Sequence, residues 1–241
     1  MGSLVVVRHG QASLFASDYD VLSERGEAQA RLLGRHLGEH GPHPMLVFTG
    51  PARRQRDTAR LCGEAYARAD QPWPTPTTIP ELDEHDAFAM VRRAVPLLQH
   101  DASVAQLAAA AAAGDPGKRS AAFQRLFEAV MERWLRGEID DPTLESWPAF
   151  AERVQRGLSR LLQHDGPGVR MIAFTSVGPL AVMLKRALGT DDLISFQTAW
   201  RIRNSSMTSF VFSTRRNATD FTLDAFNALP HLPDASAWSF R

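Results

Sequence analysis

Arginine, histidine and glycine stand together at positions 8 to 10, directly after the apolar run Leu4 to Val7. Arg8 offers a planar guanidinium fork that binds two phosphate oxygens and never loses its charge. A neutral imidazole beside it, His9, can attack phosphorus to give a phosphohistidine, dividing a difficult transfer into two easier steps. Gly10 lets the backbone come close to a ligand because it has no Cβ. The triplet alone also fits an ordinary loop, so the reading needs more residues.

A second group follows the next strand-like run. "VFTGPARRQRDTARL" passes through Gly50 and Pro51 into a helix start that carries Arg53, Arg54 and Arg56. Four acids lie between positions 81 and 86, in "ELDEHD", where a proton donor or a solvated charge run would look alike.

These residues need elements that deliver them to one place. Leu4 to Val7 read as a parallel strand buried on both faces. Ser23 then caps a helix with Glu24 and Glu27 near its positive end, and Gly26, Ala30, Leu33 and Leu37 form its inner stripe until Gly41 and Pro42 stop it. Met45 to Thr49 read as a second buried strand, and Ala52 to Ala69 as a second helix with Ala59, Cys62, Tyr66 and Ala69 on one face. Strand, helix, strand, helix means parallel crossover units. Between about 85 and 145 no strand signal appears: "VAQLAAAAAAG" favours helix, and Phe123, Leu126, Phe127, Val130 and Trp134 trace an amphipathic stripe. Trp147, Phe150, Val154, Leu158 and Leu161 give another helix, after which "VRMIAFTS" is a strand, "PLAVMLKRALG" a helix, and "MTSFVFS" and "FTLDAF" two short strands. Open parallel sheets bind ligands beyond the carboxyl ends of their strands, which is where the first strand leaves Arg8 and His9.

At this point the sequence resembles the histidine phosphatase superfamily, also called the phosphoglycerate mutase-like family. The resemblance rests on "RHG" at 8 to 10 and on "GPARRQRDTA" at 50 to 59, and covers about 1 to 65 and 145 to 230. It implies a three-layer α/β/α fold with a mainly parallel central sheet, one domain over 1–241 with a helical cap insertion at about 85–145. It matches Arg54 to the second family arginine, which makes Arg53 and Arg56 surface residues. It implies an acid that protonates the leaving oxygen, Glu84 with Asp86 as second choice. The implied activity is hydrolysis of a small phosphomonoester through a phosphohistidine on His9, the phosphoryl group held between Arg8 and Arg54. A catalytically impaired phosphate-binding or regulatory member, or a phosphomutase, is the alternative.

One family element is missing. Most members end a late strand in Ser-His-Gly-Gly, whereas this chain has "FTSVGPL", so the histidine position falls on Val177 or Ser176. Losing a cationic donor from a phosphate cradle costs a few kcal/mol in the transition state, about what removal of one oxyanion-stabilising group costs. Gly178 followed by Pro179 reads as a helix start with proline at the first position. Ser176, Val177 and Gly178 would then offer a hydroxyl and backbone N–H groups backed by a positive helix dipole. Gln11, Ser13 and Tyr19 are candidates for the mouth of the site, and Arg201, Arg203, Asn204 and His231 lie on segments that could approach it.

Composition excludes other classes. Lys+Arg and Asp+Glu each number 27 in 241 residues, so there is no basic field for nucleic acid or anionic lipid. No apolar stretch is long enough for a membrane span, and the first residues lack signal-peptide and myristoylation patterns. Cys62 is the sole cysteine, which suits a reducing cytoplasm and leaves no intrachain disulfide. His36 and His40 have metal-ligand spacing, yet no carboxylate or cysteine pattern joins them. The expectation is a cytoplasmic enzyme acting on a small phosphorylated substrate, with no metal, cofactor, nucleic acid or membrane partner and its oligomeric state open.

Overall fold

The computed structural model describes residues 1–12, 20–67, 70–113, 116–164, 166–213 and 220–240. Along the chain run β1 (Gly2–Arg8), α1 (Glu24–His40), β2 (Leu46–Thr49), α2 (Arg53–Ala65), β3 (Thr77–Thr78) and a 3-10 turn at Pro80–Leu82. Then follow α3 (Ala87–Leu97), α4 (Ala102–Ala112), α5 (Pro116–Leu135), α6 (Trp147–Leu162), β4 (Arg170–Thr175), α7 (Val177–Leu188), α8 (Asp192–Ala199), β5 (Met207–Ser213) and β6 (Asp220–Ala228). The six strands form one sheet in the order β3-β2-β4-β1-β5-β6. β1 and β2 both pair with β4 in parallel, β3 joins β2 in parallel, and β5 runs antiparallel to β1 and β6. The α/β class and the mainly parallel sheet are those expected from the alternation of elements.

The chain divides into two compact units, one of residues 1–84 and 153–241, the other of residues 85–152. In the first, side chains alternate across the sheet. Val5 and Val7 of β1 join Val47, Ile172 and Phe174 in a cluster with Leu33 and Leu37 of α1 and Ala59 and Cys62 of α2. Leu4 and Val6, of opposite parity, are fully buried as well. Burial on both faces is what an uninterrupted apolar strand requires, and each such side chain contributes about 1.5–3 kcal/mol.

The second unit is helical. His85, Trp134, Trp147 and Phe150 pack with ring centroids 4.9 to 5.7 Å apart, His85 stacked on Trp134 and Trp147 on Phe150 and the other pairs edge to face, and the Trp134 indole donates to Glu145 O at 2.8 Å. The Arg133–Asp101 pair and the Arg93–Asp141 pair, at 2.6 Å, tie its helices and loops together. This unit ends at Glu152, within α6, whose stripe of Trp147, Phe150, Val154, Leu158 and Leu161 is buried.

Two helix bounds differ from expectation. α2 ends at Ala65, where Tyr66 takes extended backbone angles and its ring packs 5.2 Å from that of Trp73; Ala69 lies outside the described residues. α7 begins at Val177, so Pro179 is its third residue and not its first. The opening N–H groups of a helix lack intrahelical partners, so a proline within that turn sacrifices no bond.

Candidate active site

β1 delivers His9 into a backbone frame. The His9 N–H donates to Thr175 O (2.9 Å), the Ser205 N–H donates to Arg8 O (2.9 Å), and Asn204 Nδ2 donates to His9 O (3.2 Å). Ser205 takes left-handed backbone angles, φ 57°, to turn its N–H inward. The imidazole is buried, with Nδ1 2.7 Å from Gly10 O. A carbonyl only accepts, so the ring proton belongs on Nδ1. The Nε2 lone pair then receives the Nε–H of Arg54 at 3.2 Å. Burial first, then the Arg54 and Arg8 charges, hold the His9 pKa well below the usual imidazole value, against weaker upward pulls from Gly10 O and Glu84. The ring is therefore neutral at pH 7 with its lone pair on Nε2, the form a nucleophile needs.

Arg54 is aligned by Asp20, which no sequence signal singled out. Asp20 accepts from the backbone N–H groups of Arg53 (2.7 Å) and Arg54 (3.2 Å) and from Arg54 Nη1 (2.7 Å). One carboxylate thus caps α2 and orients its arginine. Arg53 and Arg56 are exposed, whereas Arg54 is buried against His9.

Gly10 is also closely approached by another element of the fold. A Cβ there would lie 2.5 Å from Gly26 O, so the missing side chain admits the first turn of α1. Its N–H donates to Thr58 Oγ1 (3.0 Å), which itself donates to Arg54 O (2.7 Å).

Arg8 is buried and anchored to backbone. Nη1 donates to Ile202 O (2.5 Å) and Nη2 to Phe240 O (2.6 Å), so two separate backbone segments hold its fork. Around them, Gln29 Nε2 donates to Ala237 O and Ser239 Oγ, Ser239 Oγ donates to Asn204 Oδ1, and the Arg203 guanidinium stacks over Trp238 at 4.5 Å and Phe240 at 5.2 Å. Arg203 is thus spent on packing the chain end, and Asn204 reaches the site through His9 O.

The loop after the 3-10 turn brings the acids. Arg153 donates to Glu81 O and Asp83 O, Thr175 Oγ1 donates to Leu82 O, and Glu84 Oε2 accepts the Gly178 N–H at 3.0 Å. The helix end expected to present N–H groups to an anion therefore already holds a carboxylate. Burial raises the pKa of half-buried Asp83, whose carboxyl also feels Arg54. Asp86 is exposed and caps α3 by accepting from Ala89 N–H. Ser176 is buried beside Val177, and its Oγ accepts from Gln55 Nε2 at 2.8 Å.

The remaining candidates divide. Gln11 is turned toward the α1 cap, its Oε1 accepting from Ser23 Oγ (3.0 Å). Ser13 and Tyr19 lie outside the described residues. Arg201 is exposed. His231 is buried with Nε2 2.8 Å from Ser205 Oγ, and its pKa is lowered to about 3, first by burial and then by His36. His36 and His40 stack at 4.9 Å, and among the described residues no group of three or more His, Cys, Asp or Glu is placed to hold a metal ion. Among them, too, no helix is long and apolar enough to cross a membrane.

Comparison with known proteins adds to this geometry. Residues 4–100 and 109–224 match the family described as histidine phosphatase superfamily (branch 1). A 2,3-bisphosphoglycerate-dependent phosphoglycerate mutase of Corynebacterium kroppenstedtii is 37% identical over 78 residues, 30% of each chain. A 2-carboxy-D-arabinitol-1-phosphatase of Triticum aestivum is 26% identical over 203 residues, 78% of this chain and 33% of the wheat protein. The chain thus spans about a third of the length of these two relatives. Among solved structures, one titled Mycobacterial hydrolase 1 superposes with a TM-score of 0.62 at 20% identity, over 94% of this chain and 99% of that one, a likeness of fold.

Proposed function

The chain belongs to the histidine phosphatase superfamily, and from that premise we propose that it hydrolyses a small phosphomonoester through a phosphohistidine on His9. The observation that carries this reading is the His9–Arg54 pair: a neutral imidazole, protonated on Nδ1, whose Nε2 lone pair meets a guanidinium. In the reading, Arg54 turns from Nε2 to the phosphoryl oxygens as substrate enters, and Arg8 adds a second positive charge close to His9. Nε2 attacks phosphorus in line, the P–O bond breaks, and the alcohol leaves with a proton from Glu84. That proton sits on Oε1, since Oε2 accepts from Gly178. Water then attacks the phosphohistidine, returns a proton to Glu84 and frees phosphate and His9. Two guanidinium groups supply the charge stabilisation, so the scheme has no step for a metal or organic cofactor. In the same reading the helical unit is an insertion into a single domain, and the protein works in the cytoplasm.

A second reading has one observation in its favour. Where the family resemblance calls for a histidine, this chain has Ser176 and Val177, and the following N–H is taken by Glu84. That arrangement suits a member that binds phosphorylated ligands with little turnover.

The test is incubation of wild type and His9→Ala with an aryl phosphate, without added metal, followed by acid-free trapping of phosphoprotein. The hydrolase reading expects alcohol, phosphate and a phosphohistidine from wild type alone. Turnover that persists in His9→Ala defeats the nucleophile assignment, and binding with no turnover in wild type favours the second reading.

A further inference from the structure

Arg54 and Thr175 both hold His9, one through its side chain and the other through its carbonyl, and the residue after each is a buried polar group. Those two residues, Gln55 and Ser176, are bonded to each other. The orientation of the Gln55 amide is fixed by its other partner. The Ala52 N–H, which can only donate, reaches Gln55 Oε1 at 3.2 Å, so Nε2 must face Ser176 and donate to its Oγ at 2.8 Å. An amide nitrogen cannot accept in return, so the Ser176 hydroxyl proton has to point elsewhere. Ser176 is 1% exposed, and among the described residues no acceptor for that proton is found.

We propose that Gln55 is a positioning residue that makes Ser176 an obligate hydrogen-bond donor to a phosphoryl oxygen at the His9 site. The pairing involves one of the two residues, Ser176 and Val177, on which the family's histidine position falls. It replaces a charged donor by a neutral one whose direction is set by a buried amide. Buried polar groups lacking a partner are costly, and here the cost is relieved when an anion arrives. The proposal rests on the phosphomonoester reading for the identity of that anion.

Inorganic phosphate is the probe, titrated by calorimetry into wild type, Ser176→Ala, Gln55→Met and the double variant, each first checked for cooperative thermal unfolding. Ser176→Ala is expected to weaken binding roughly 10- to 100-fold, the range for a hydrogen bond to a charged group. Gln55→Met should weaken it by a smaller factor, and in the Ser176→Ala background should change it less than twofold. Ser176→Thr, which keeps the hydroxyl, should bind nearly as wild type. If Gln55→Met does not fold, Gln55→Glu replaces it: its oxygens accept only, so they would draw the Ser176 proton away, and Ser176→Ala in that background should be silent. Wild-type affinity in Ser176→Ala, additive losses in the double variant, or a wild type that binds no phosphate would each overturn the proposal. Coupled binding without turnover would instead sink the hydrolase reading and leave this one standing. Turnover with phosphohistidine but additive losses would do the reverse.

Discussion

Arg54 Nε and His9 Nε2 lie 3.2 Å apart, so without substrate the guanidinium and the imidazole lone pair satisfy each other. With Nδ1 bonded to Gly10 O, this leaves a single tautomer. Nitrogen-detected NMR at pH 7 should find a proton on His9 Nδ1 and a bare Nε2. Added phosphate should shift the Nε2 resonance as Arg54 turns to the anion. Equal population of the two tautomers would contradict the bonding described.

Replacing Arg54 separates charge from geometry. Arg54→Ala should lower kcat about 10²- to 10³-fold, as removal of one oxyanion donor does elsewhere. Arg54→Lys should recover little, since a point charge cannot bridge His9, Asp20 and a phosphoryl group as a fork does. Because the Arg54 charge helps hold the His9 pKa down, Arg54→Ala should also raise it, as read by NMR titration.

Asp20 links helix stability to that arginine. Its carboxylate accepts two backbone N–H groups at the start of α2 and the Arg54 side chain. Asp20→Ala should cost about 1 kcal/mol in unfolding free energy, the usual loss for a helix cap. It should also reduce turnover, though by less than Arg54→Ala, because the guanidinium loses its anchor and keeps its charge.

Acid should weaken the fold through two histidines. His9 and His231 are both held neutral by burial, with folded-state pKa values below the unfolded value of about 6.5. The unfolded chain therefore binds more protons as pH falls. Their contribution is complete above pH 6.5 and is lost progressively below it, down to about pH 3 for His231. At pH 5.5 His231 should cost about 1.4 kcal/mol relative to pH 8, and His9 acts in the same direction. Denaturant unfolding across this range should show the slope, and His231→Gln should reduce it.

How much of this was legible beforehand follows from distance along the chain. β1, α1 and α6 declare themselves through local periodicity, and Ser23, Gly26 and the Trp147 to Leu161 stripe occupy the expected places. Arg8, His9 and Arg54 converge because β1 and β2, parallel strands on either side of β4, end at the same sheet edge. Asp20, Gln55 and the anchoring of Arg8 on Phe240 O were not legible. Each depends on a contact across 34 to 232 residues, and a polar residue carries no periodic signature of its partner. The close approach of α1 to Gly10 was not legible either, since it depends on how the fold places Gly26.

The chain end should matter to the site through Ser239. Gln29 Oε1 accepts from Gln11 N–H, Gln29 Nε2 donates to Ser239 Oγ, Ser239 Oγ donates to Asn204 Oδ1, and Asn204 Nδ2 donates to His9 O. Every bond in that series is at least partly buried, so removing the central hydroxyl leaves Asn204 Oδ1 without that donor in a place water does not easily reach. Ser239→Ala should cost about 1–3 kcal/mol, lowering Tm by about 2–4 °C for each kcal/mol in a chain of this size. In the proposed mechanism the series positions His9, so kcat should fall while KM for an aryl phosphate stays within about twofold, because the series ends on the His9 carbonyl. A variant with unchanged Tm and unchanged kcat would mean that Asn204 finds another donor and that the other bonds to His9 suffice to hold it.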